Sequence, residues 1–244
     1  MSSRLLFLLD YEPDFDFVTQ DSIIAKQQLD KRKDLYRYVV MKESDFYDSE
    51  TGELKTAADF PPEFRKAYPI GSLEFIESFL KIFHGIDREP AIEVPEQLQT
   101  IEFLKRDYKI VPFSSLPKDG CFFIKDASNQ KSFSYCGNIA ELQCELPGTL
   151  DESHLYVVSD LLDIVSEYRV YVIRGEIKAV SFYKGNPLAF PDTAFIKKTV
   201  RAYSRTANPL ASYSFDVMIT EKGTALIEMH SLLSLGLYWT KWDE

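Results

Sequence analysis

Cysteine, glycine and long apolar runs are all scarce in this 244-residue sequence, and each scarcity excludes a class of protein. The three cysteines, Cys121, Cys136 and Cys144, are odd in number and lack zinc-site spacing, so reduced thiols in a cytoplasmic protein are expected. The ten glycines form neither a Gly-x-Gly-x-x-Gly fingerprint nor a Walker-type phosphate loop. The apolar run at residues 5–9 is too short to cross a bilayer, and Asp10 ends it too abruptly for a signal sequence.

Positive charge is also in deficit, since 28 lysines and arginines face 38 aspartates and glutamates and leave a formal net charge of -10. Non-specific binding to nucleic acid or to an anionic membrane needs a basic surface, so neither is expected. A local cluster of cations that binds a nucleotide is compatible with this balance. The sequence contains no Ser–His–Asp pattern and no nucleophile elbow.

Hydrophobic patterning predicts strands mixed with helices, and therefore an α+β or α/β architecture with largely antiparallel sheets. The predicted strands span residues 4–9, 36–41, 109–112, 121–125, 155–158, 168–173, 177–183, 212–220 and 224–229. The predicted helical stretches span residues 23–38, 72–83, 161–166 and 194–206. Pro90 and Pro95 mark a boundary between the N-terminal region and the strand-rich remainder.

The most informative segment spans residues 215–230, where two short apolar runs, each carrying one acid, flank Glu-Lys-Gly. This pattern predicts a β-hairpin with a three-residue loop whose glycine is in the left-handed region. In the register that pairs Thr220 with Thr224, Asp216 lies directly opposite Glu228. A loop of two or four residues would instead place the two acids on opposite faces.

The facing carboxylates of Asp216 and Glu228 predict a metal site. Two carboxylates held side by side repel each other and destabilise a strand pair, and a divalent cation turns that repulsion into binding. Hard oxygen ligands suit Mg²⁺ or Mn²⁺. His230 shares this face because side chains alternate along a strand, and it could add a nitrogen ligand. The alternative is a hairpin whose polar side faces solvent, with the acids merely hydrated.

A second candidate group is Lys125, which ends an apolar strand and precedes a polar loop at residues 127–132. A lysine in this position can clamp a phosphate, because its ammonium acts as a point charge while the loop offers hydroxyl and amide donors. The alternative is a lysine that extends from a strand end into solvent.

The strand at residues 166–173 has one apolar face and one face that carries Glu167, Arg169 and Tyr171. Two interpretations stay open. The polar face is either an exposed ladder with a Glu–Arg pair or the wall of a cleft. In a cleft, Glu167 would accept hydrogen bonds from ribose hydroxyls and Arg169 would bind a phosphate through two hydrogen bonds.

Basic residues also line the helical stretch just before the acidic hairpin: Lys197, Lys198, Arg201 and Arg205. A solvated helix face explains them, and so does charge complementarity to a triphosphate or an anionic intermediate.

Taken in chain order, a strand-end lysine, a polar flap loop, a linker, an acid-led hairpin and a terminal acidic hairpin resemble the ATP-grasp superfamily. The hairpin sequence Glu-Tyr-Arg-Val-Tyr-Val-Ile-Arg-Gly-Glu-Ile at residues 167–177 is similar to that of glutamate-adding and peptide-forming ATP-grasp ligases. Residues 68–75 and 123–126 resemble more narrowly a small ATP-grasp clade of bacteria and phages. The nucleotide-binding resemblance covers residues 100–244.

The resemblance implies an α+β ATP-grasp fold, in which two α+β subdomains with mostly antiparallel sheets clasp a nucleotide. The expected flap subdomain spans residues 96–157, and the C-terminal subdomain with the metal site spans residues 158–244. A small α/β region at residues 1–95 precedes them and would shape substrate specificity.

The resemblance also implies roles for individual residues. Lys125 and Lys131 would reach the phosphates, and the backbone of Ser159, Asp160, Leu161 and Leu162 would bind adenine. Glu167 would bind ribose, and Asp216, Glu228 and His230 would hold the metal. Arg169 and Arg201 are the implied catalytic residues, which would hold an acyl phosphate or an acceptor carboxylate.

The implied function is an ATP-dependent carboxylate–amine ligase that uses Mg²⁺ or Mn²⁺ and forms an acyl phosphate. Its expected partners are ATP and an unidentified carboxylate and amine, with a peptide or protein as one candidate substrate, and it would be a monomer or homodimer. Two departures motivate an alternative, a catalytically silent ATP-binding module that assists a partner protein. His230 stands where the family has asparagine in Glu-x-Asn, and the flap is poor in glycine.

Overall fold

A computed structural model describes residues 4–11, 20–87, 94–127, 133–145 and 150–232. The strands are β1 (Leu5–Asp10), β2 (Tyr36–Met41), β3 (Tyr68–Ile70), β4 (Tyr108–Pro112), β5 (Phe122–Asp126), β6 (Ser134–Gly137), β7 (Leu155–Asp160), β8 (Ser166–Ile173), β9 (Glu176–Gly185), β10 (Tyr213–Thr220) and β11 (Gly223–Ser231). The α-helices are α1 (Gln20–Lys31), α2 (Leu73–His84), α3 (Ile101–Leu104), α4 (Ile139–Glu145) and α5 (Thr193–Tyr203). The described residues form two compact units, one up to residue 87 and one from residue 94.

The first unit is a small α/β structure in which β1 pairs in parallel with both β2 and β3. Helix α2 begins after Ser72, whose hydroxyl accepts a hydrogen bond from the Phe75 backbone N–H, and it ends at Gly85 with φ +66°. This agrees with the helix predicted at residues 72–83. Helix α1 ends at Lys31, before the predicted end, because the following residues enter β2.

The second unit contains two antiparallel sheets, with strand orders β4-β7-β5-β6 and β11-β10-β8-β9. Helix α5 packs against one face of the β11-β10-β8-β9 sheet, where it buries Phe195 and Ile196 against Val170, Phe215 and other apolar side chains. The prediction of an α+β fold with mostly antiparallel sheets is therefore confirmed. Across the described ranges, no helix is long and apolar enough to span a membrane.

The helical stretch predicted at residues 161–166 is wrong. Residues 161–165 contain no regular secondary structure and link β7 to β8, and β8 begins at Ser166. The backbone N–H of Val165 already donates to the carbonyl of Ile219 in the neighbouring strand, which extends the sheet backwards into the link. Apolar spacing over so few residues does not distinguish a helix from an extended connection.

The acidic hairpin reaches its predicted pairing by a different route. Thr220 pairs with Gly223, so the loop holds two residues and the predicted three-residue loop is wrong. A β-bulge then leaves Ile227 without a partner in the register, which restores the facing pair of Asp216 and Glu228. The bulge cancels the one-residue shift that a two-residue loop would impose, so the two acids share a face.

Gly185, at the end of β9, makes a close approach that only glycine permits. It has φ +93°, and a Cβ built there would lie 2.2 Å from the Val165 carbonyl oxygen and 2.8 Å from the Ser166 Cα. Gly223 has φ +93° as well but has nothing within 4 Å of such a Cβ, so it is a matched control.

We expect Gly185→Ala to lower the free energy of unfolding by about 2–4 kcal/mol, because backbone strain adds to a steric clash. Gly223→Ala carries the strain alone and should cost about 1–2 kcal/mol. Urea denaturation of both variants measures the difference. Equal losses would contradict a steric role for Gly185.

Candidate functional site

One face of the β11-β10-β8-β9 sheet brings together the three predicted metal ligands. Asp216 of β10 pairs with Glu228 of β11, and His230 follows two residues later on the same face. One ligand atom from each side chain lies within 4.8 Å of the other two. The His230 Nε2 is 3.0 Å from the Glu228 Oε1 and 3.8 Å from the Asp216 Oδ2.

Arg169 binds Asp216 through both guanidinium edge nitrogens. The register of β8 against β10 places the two residues opposite each other, with Nε 2.7 Å from Oδ1 and Nη2 2.8 Å from Oδ2. Both are buried, with 6% and 2% of their surfaces exposed. Burial opposes ionisation of Asp216, but the hydrogen bonds from Arg169 and His230 outweigh it and hold the pKa of this carboxyl below its usual range. Asp216 is therefore a fixed carboxylate.

Tyr183 belongs to this cluster, although the sequence reading missed it. Its hydroxyl lies 2.8 Å from the Glu167 Oε2 and 3.2 Å from the Asp216 Oδ2, so it can donate to either carboxylate. Burial raises the pKa of Tyr183, and the charges of Asp216 and Glu167 raise it further, so the phenol keeps its proton. Lys184, the next residue, holds the other oxygen of Glu167 at 2.9 Å.

Two irregularities in the β8–β9 ladder explain why Tyr183 was missed. A regular hairpin closed by Arg174 and Gly175 would place Tyr183 on the face opposite to Arg169. The register shifts between Tyr171 and Val172 and again beside Glu167, which directs Tyr183 toward the cluster. No local sequence signal marks these shifts.

Lys125 reaches the cluster from the other sheet of the same unit. It lies on β5, and its Nζ is 3.8 Å from the Glu228 Oε2. Both side chains are partly exposed, at 22% for Lys125 and 29% for Glu228. The two sheets therefore face each other with a cation on one and a carboxylate on the other, which is an arrangement that an anionic ligand can enter.

The predicted adenine-binding segment lies where β7 ends and the link to β8 begins. Asp160 is fixed because its Oδ2 accepts from the Asp107 backbone N–H at 3.1 Å, and Ser159 is buried in the sheet. Leu161 is exposed, and Leu162 is half-buried. Among the described residues, the backbone groups of residues 161–164 form no hydrogen bond with one another or with the rest of the chain. Their donors and acceptors are thus open to a ligand.

The structure does not bring Arg201 to the cluster. Arg201 is exposed on α5, and this helix packs its buried side chains against the apolar face of the sheet, opposite to Asp216. Charge complementarity from this helix is therefore not part of the site geometry. Lys131, the other predicted phosphate ligand, lies outside the described residues.

The donor set fits a hard or borderline divalent cation. Asp216 and Glu228 supply the carboxylate oxygens that Mg²⁺ and Mn²⁺ use, and both ions usually complete their shells with water and phosphate oxygens. His230 adds an imidazole nitrogen, a donor that suits transition metals better than Mg²⁺. These residues can hold a metal beside a bound triphosphate.

Solved structures with a similar fold are ATP-grasp enzymes. The ATP-grasp ligase PsnB in complex with a minimal precursor has 12% identity and a TM-score of 0.52, over 96% of this chain and 92% of that one. D-cycloserine synthetase DcsG has 10% identity and a TM-score of 0.55, over 99% and 96%. D-alanyl-alanine synthetase A from Vibrio cholerae has 12% identity and a TM-score of 0.52, over 98% and 92%. Identities this low show the fold alone.

The sequence itself matches a family model described as an ATP-grasp domain, the second family of one clade within that superfamily, over residues 103–244. This range exceeds half of the chain and contains every residue of the cluster. No curated protein matches the chain by sequence. Together with the fold, the family match confirms the predicted superfamily: the chain belongs to this clade family of ATP-grasp domains.

Proposed function

We propose that this ATP-grasp protein is an ATP- and divalent-metal-dependent carboxylate–amine ligase that forms an acyl phosphate. The observation that carries the proposal is the convergence of Lys125, Arg169, Asp216 and Glu228 on one site from two facing sheets. Cations and metal-binding carboxylates at one point are what phosphoryl transfer requires, since its catalysis is largely positioning and charge stabilisation. The activated carboxylate and the amine remain unidentified, and a peptide is one candidate.

In this proposal the cluster divides into a metal wall and a cationic wall. Asp216, Glu228 and His230 hold Mg²⁺ or Mn²⁺, which when bound neutralises phosphate charge and orients the triphosphate. Lys125 faces them from β5 and contacts the phosphates as a point charge. The distance of 3.8 Å between Lys125 and Glu228 supports the idea that the two walls share one ligand.

Arg169 is proposed to hold the anion that receives the phosphoryl group. Its guanidinium is already oriented by the Asp216 carboxylate, which accepts from two of its nitrogens. The remaining N–H groups can donate to a carboxylate or acyl phosphate. Tyr183 fixes the same carboxylate and keeps Glu167 in place, and Glu167 is the proposed ribose acceptor. The open backbone of residues 161–164 is the proposed contact for adenine.

We expect Glu228→Gln to weaken metal-dependent binding of a non-hydrolysable ATP analogue on the order of tenfold, because it removes one charged metal ligand and keeps the shape. Isothermal titration with and without Mg²⁺ measures this, and thermal unfolding checks that the variant is folded. Glu221→Gln, in the exposed hairpin loop, is the control. Wild-type protein that binds no analogue, or a Glu228→Gln variant that binds it equally well, would contradict the proposal.

A catalytically silent ATP-binding module is the second candidate, favoured by the histidine at position 230 where the resemblance expects asparagine. The two functions differ in turnover. The ligase should release ADP when ATP is supplied with a panel of carboxylates and amines, whereas the silent module should bind ATP without carboxylate-dependent ADP release. In either case we propose that residues 96–157 and 158–244 form the nucleotide-binding subdomains, that residues 1–95 shape specificity, and that the protein works in the cytoplasm as a monomer or homodimer.

A further inference from the structure

The imidazole of His230 is the feature of the cluster that the proposed ligase function leaves unexplained. It is nearly buried, and its Nε2 faces the carboxylates of Asp216 and Glu228. A histidine between two acids is either a counter-charge or a metal ligand. The surrounding charges distinguish between these roles.

Both carboxylates already have other cationic partners. Asp216 receives two hydrogen bonds from Arg169, and Glu228 has the Lys125 ammonium 3.8 Å away. A third cation is therefore not needed to neutralise the pair. A nitrogen ligand is a property that neither lysine nor arginine supplies, because both remain protonated.

The spacing of the donors fits one octahedral ion. Adjacent donors of such an ion, with bonds of about 2.1 Å, lie about 3.0 Å apart. The His230 Nε2 and the Glu228 Oε1 are 3.0 Å apart, and the Asp216 Oδ2 is 3.8 Å from the same nitrogen. A side-chain adjustment of under about 1 Å would therefore place all three donors on one face of the ion, with the opposite face left for phosphate and water oxygens.

We infer that this site selects a first-row transition cation over Mg²⁺, with His230 as a direct nitrogen ligand. Mg²⁺ prefers an all-oxygen shell, whereas Mn²⁺ and its heavier neighbours accept imidazole. The inference rests on the proposed function, because it assumes that Asp216 and Glu228 hold the metal. Mn²⁺ is the appropriate probe, because it binds least tightly of the series and any preference over Mg²⁺ is then a conservative measure.

The test measures Mn²⁺ and Mg²⁺ binding to the full chain without turnover, with and without a non-hydrolysable ATP analogue. Wild-type protein should bind Mn²⁺ at least about tenfold more tightly than Mg²⁺, since even outer-shell partners of a metal affect affinity about 10–100-fold. His230→Asn should remove most of that preference by weakening Mn²⁺ and sparing Mg²⁺. His154→Asn is the matched control, because His154 contacts Asp126 and Asp151, away from the cluster.

Pulsed electron paramagnetic resonance of bound Mn²⁺ gives a direct readout of ligation. Wild-type protein and His154→Asn should show coupling to a histidine nitrogen, and His230→Asn should lose it. Mn²⁺ bound at Asp216 and Glu228 without nitrogen coupling, or an unchanged Mn²⁺/Mg²⁺ ratio in His230→Asn, would overturn the inference and leave the proposed ligase standing. Wild-type protein that binds neither cation, with or without the analogue, would overturn both.

Discussion

Replacing Arg169 by methionine is expected to lower the free energy of unfolding by about 3–5 kcal/mol, the cost typical of leaving one member of a buried ion pair without its partner. Asp216 is 2% exposed and would keep only Tyr183, at 3.2 Å, and the more distant His230. Methionine fills a similar volume, so the loss would report the charge rather than a cavity. Urea denaturation monitored by circular dichroism measures it.

Two further variants make the stability result for Arg169 specific. Arg201→Met removes an exposed arginine from α5 and should change stability by less than about 0.5 kcal/mol. The double variant Arg169→Met with Asp216→Asn removes both charges and should recover much of the loss, because the unpaired buried carboxylate is gone. An Arg169→Met loss below about 1 kcal/mol would show that the pair does not stabilise the sheet.

Replacing Lys125 by methionine is expected to weaken binding of an ATP analogue by about 10–150-fold, which corresponds to the roughly 1.5–3 kcal/mol of a hydrogen bond to a charged group. Stability should change little, because the ammonium is partly exposed and lies 3.8 Å from its carboxylate partner. The contrast with Arg169 follows from burial: one cation is committed to the fold, and the other is available to a ligand.

Lys178→Met is the control for Lys125. Lys178 lies on the edge strand β9, is exposed and pairs with Glu176, so its loss changes net charge equally without touching the site. Isothermal titration of both variants in the same buffer separates a local phosphate contact from a general charge effect. Equal affinities for Lys125→Met and Lys178→Met would remove Lys125 from the proposed phosphate site.

Short-range patterns accounted for the elements of the site and for much of its content. Alternation along β8 placed Glu167 and Arg169 on one face, and the two acidic runs at residues 215–230 formed the predicted hairpin. The serine cap and glycine stop of α2 were equally readable. Turn chemistry, capping and side-chain alternation depend on residues close in sequence, so a sequence alone contains them.

Pairings between distant segments could not be read in the same way. Arg169 and Asp216 meet only because β8 lies between β9 and β10 in the sheet. Tyr183 joins them through shifts in the strand register, and these depend on packing across the whole sheet. The helix predicted at residues 161–166 failed for a related reason, because that stretch continues the sheet rather than folding on itself.

The sequence by itself determined the superfamily, the α+β class and the facing pair of Asp216 and Glu228, because these follow from local order and alternation. Only the tertiary structure decided which cations serve that pair. It placed Lys125 across from Glu228 and locked Arg169 onto Asp216, and it put Arg201 on the far side of the sheet. The physical reason is that strand order, bulges and the packing of α5 are settled by burial of the whole sheet, which no single segment specifies.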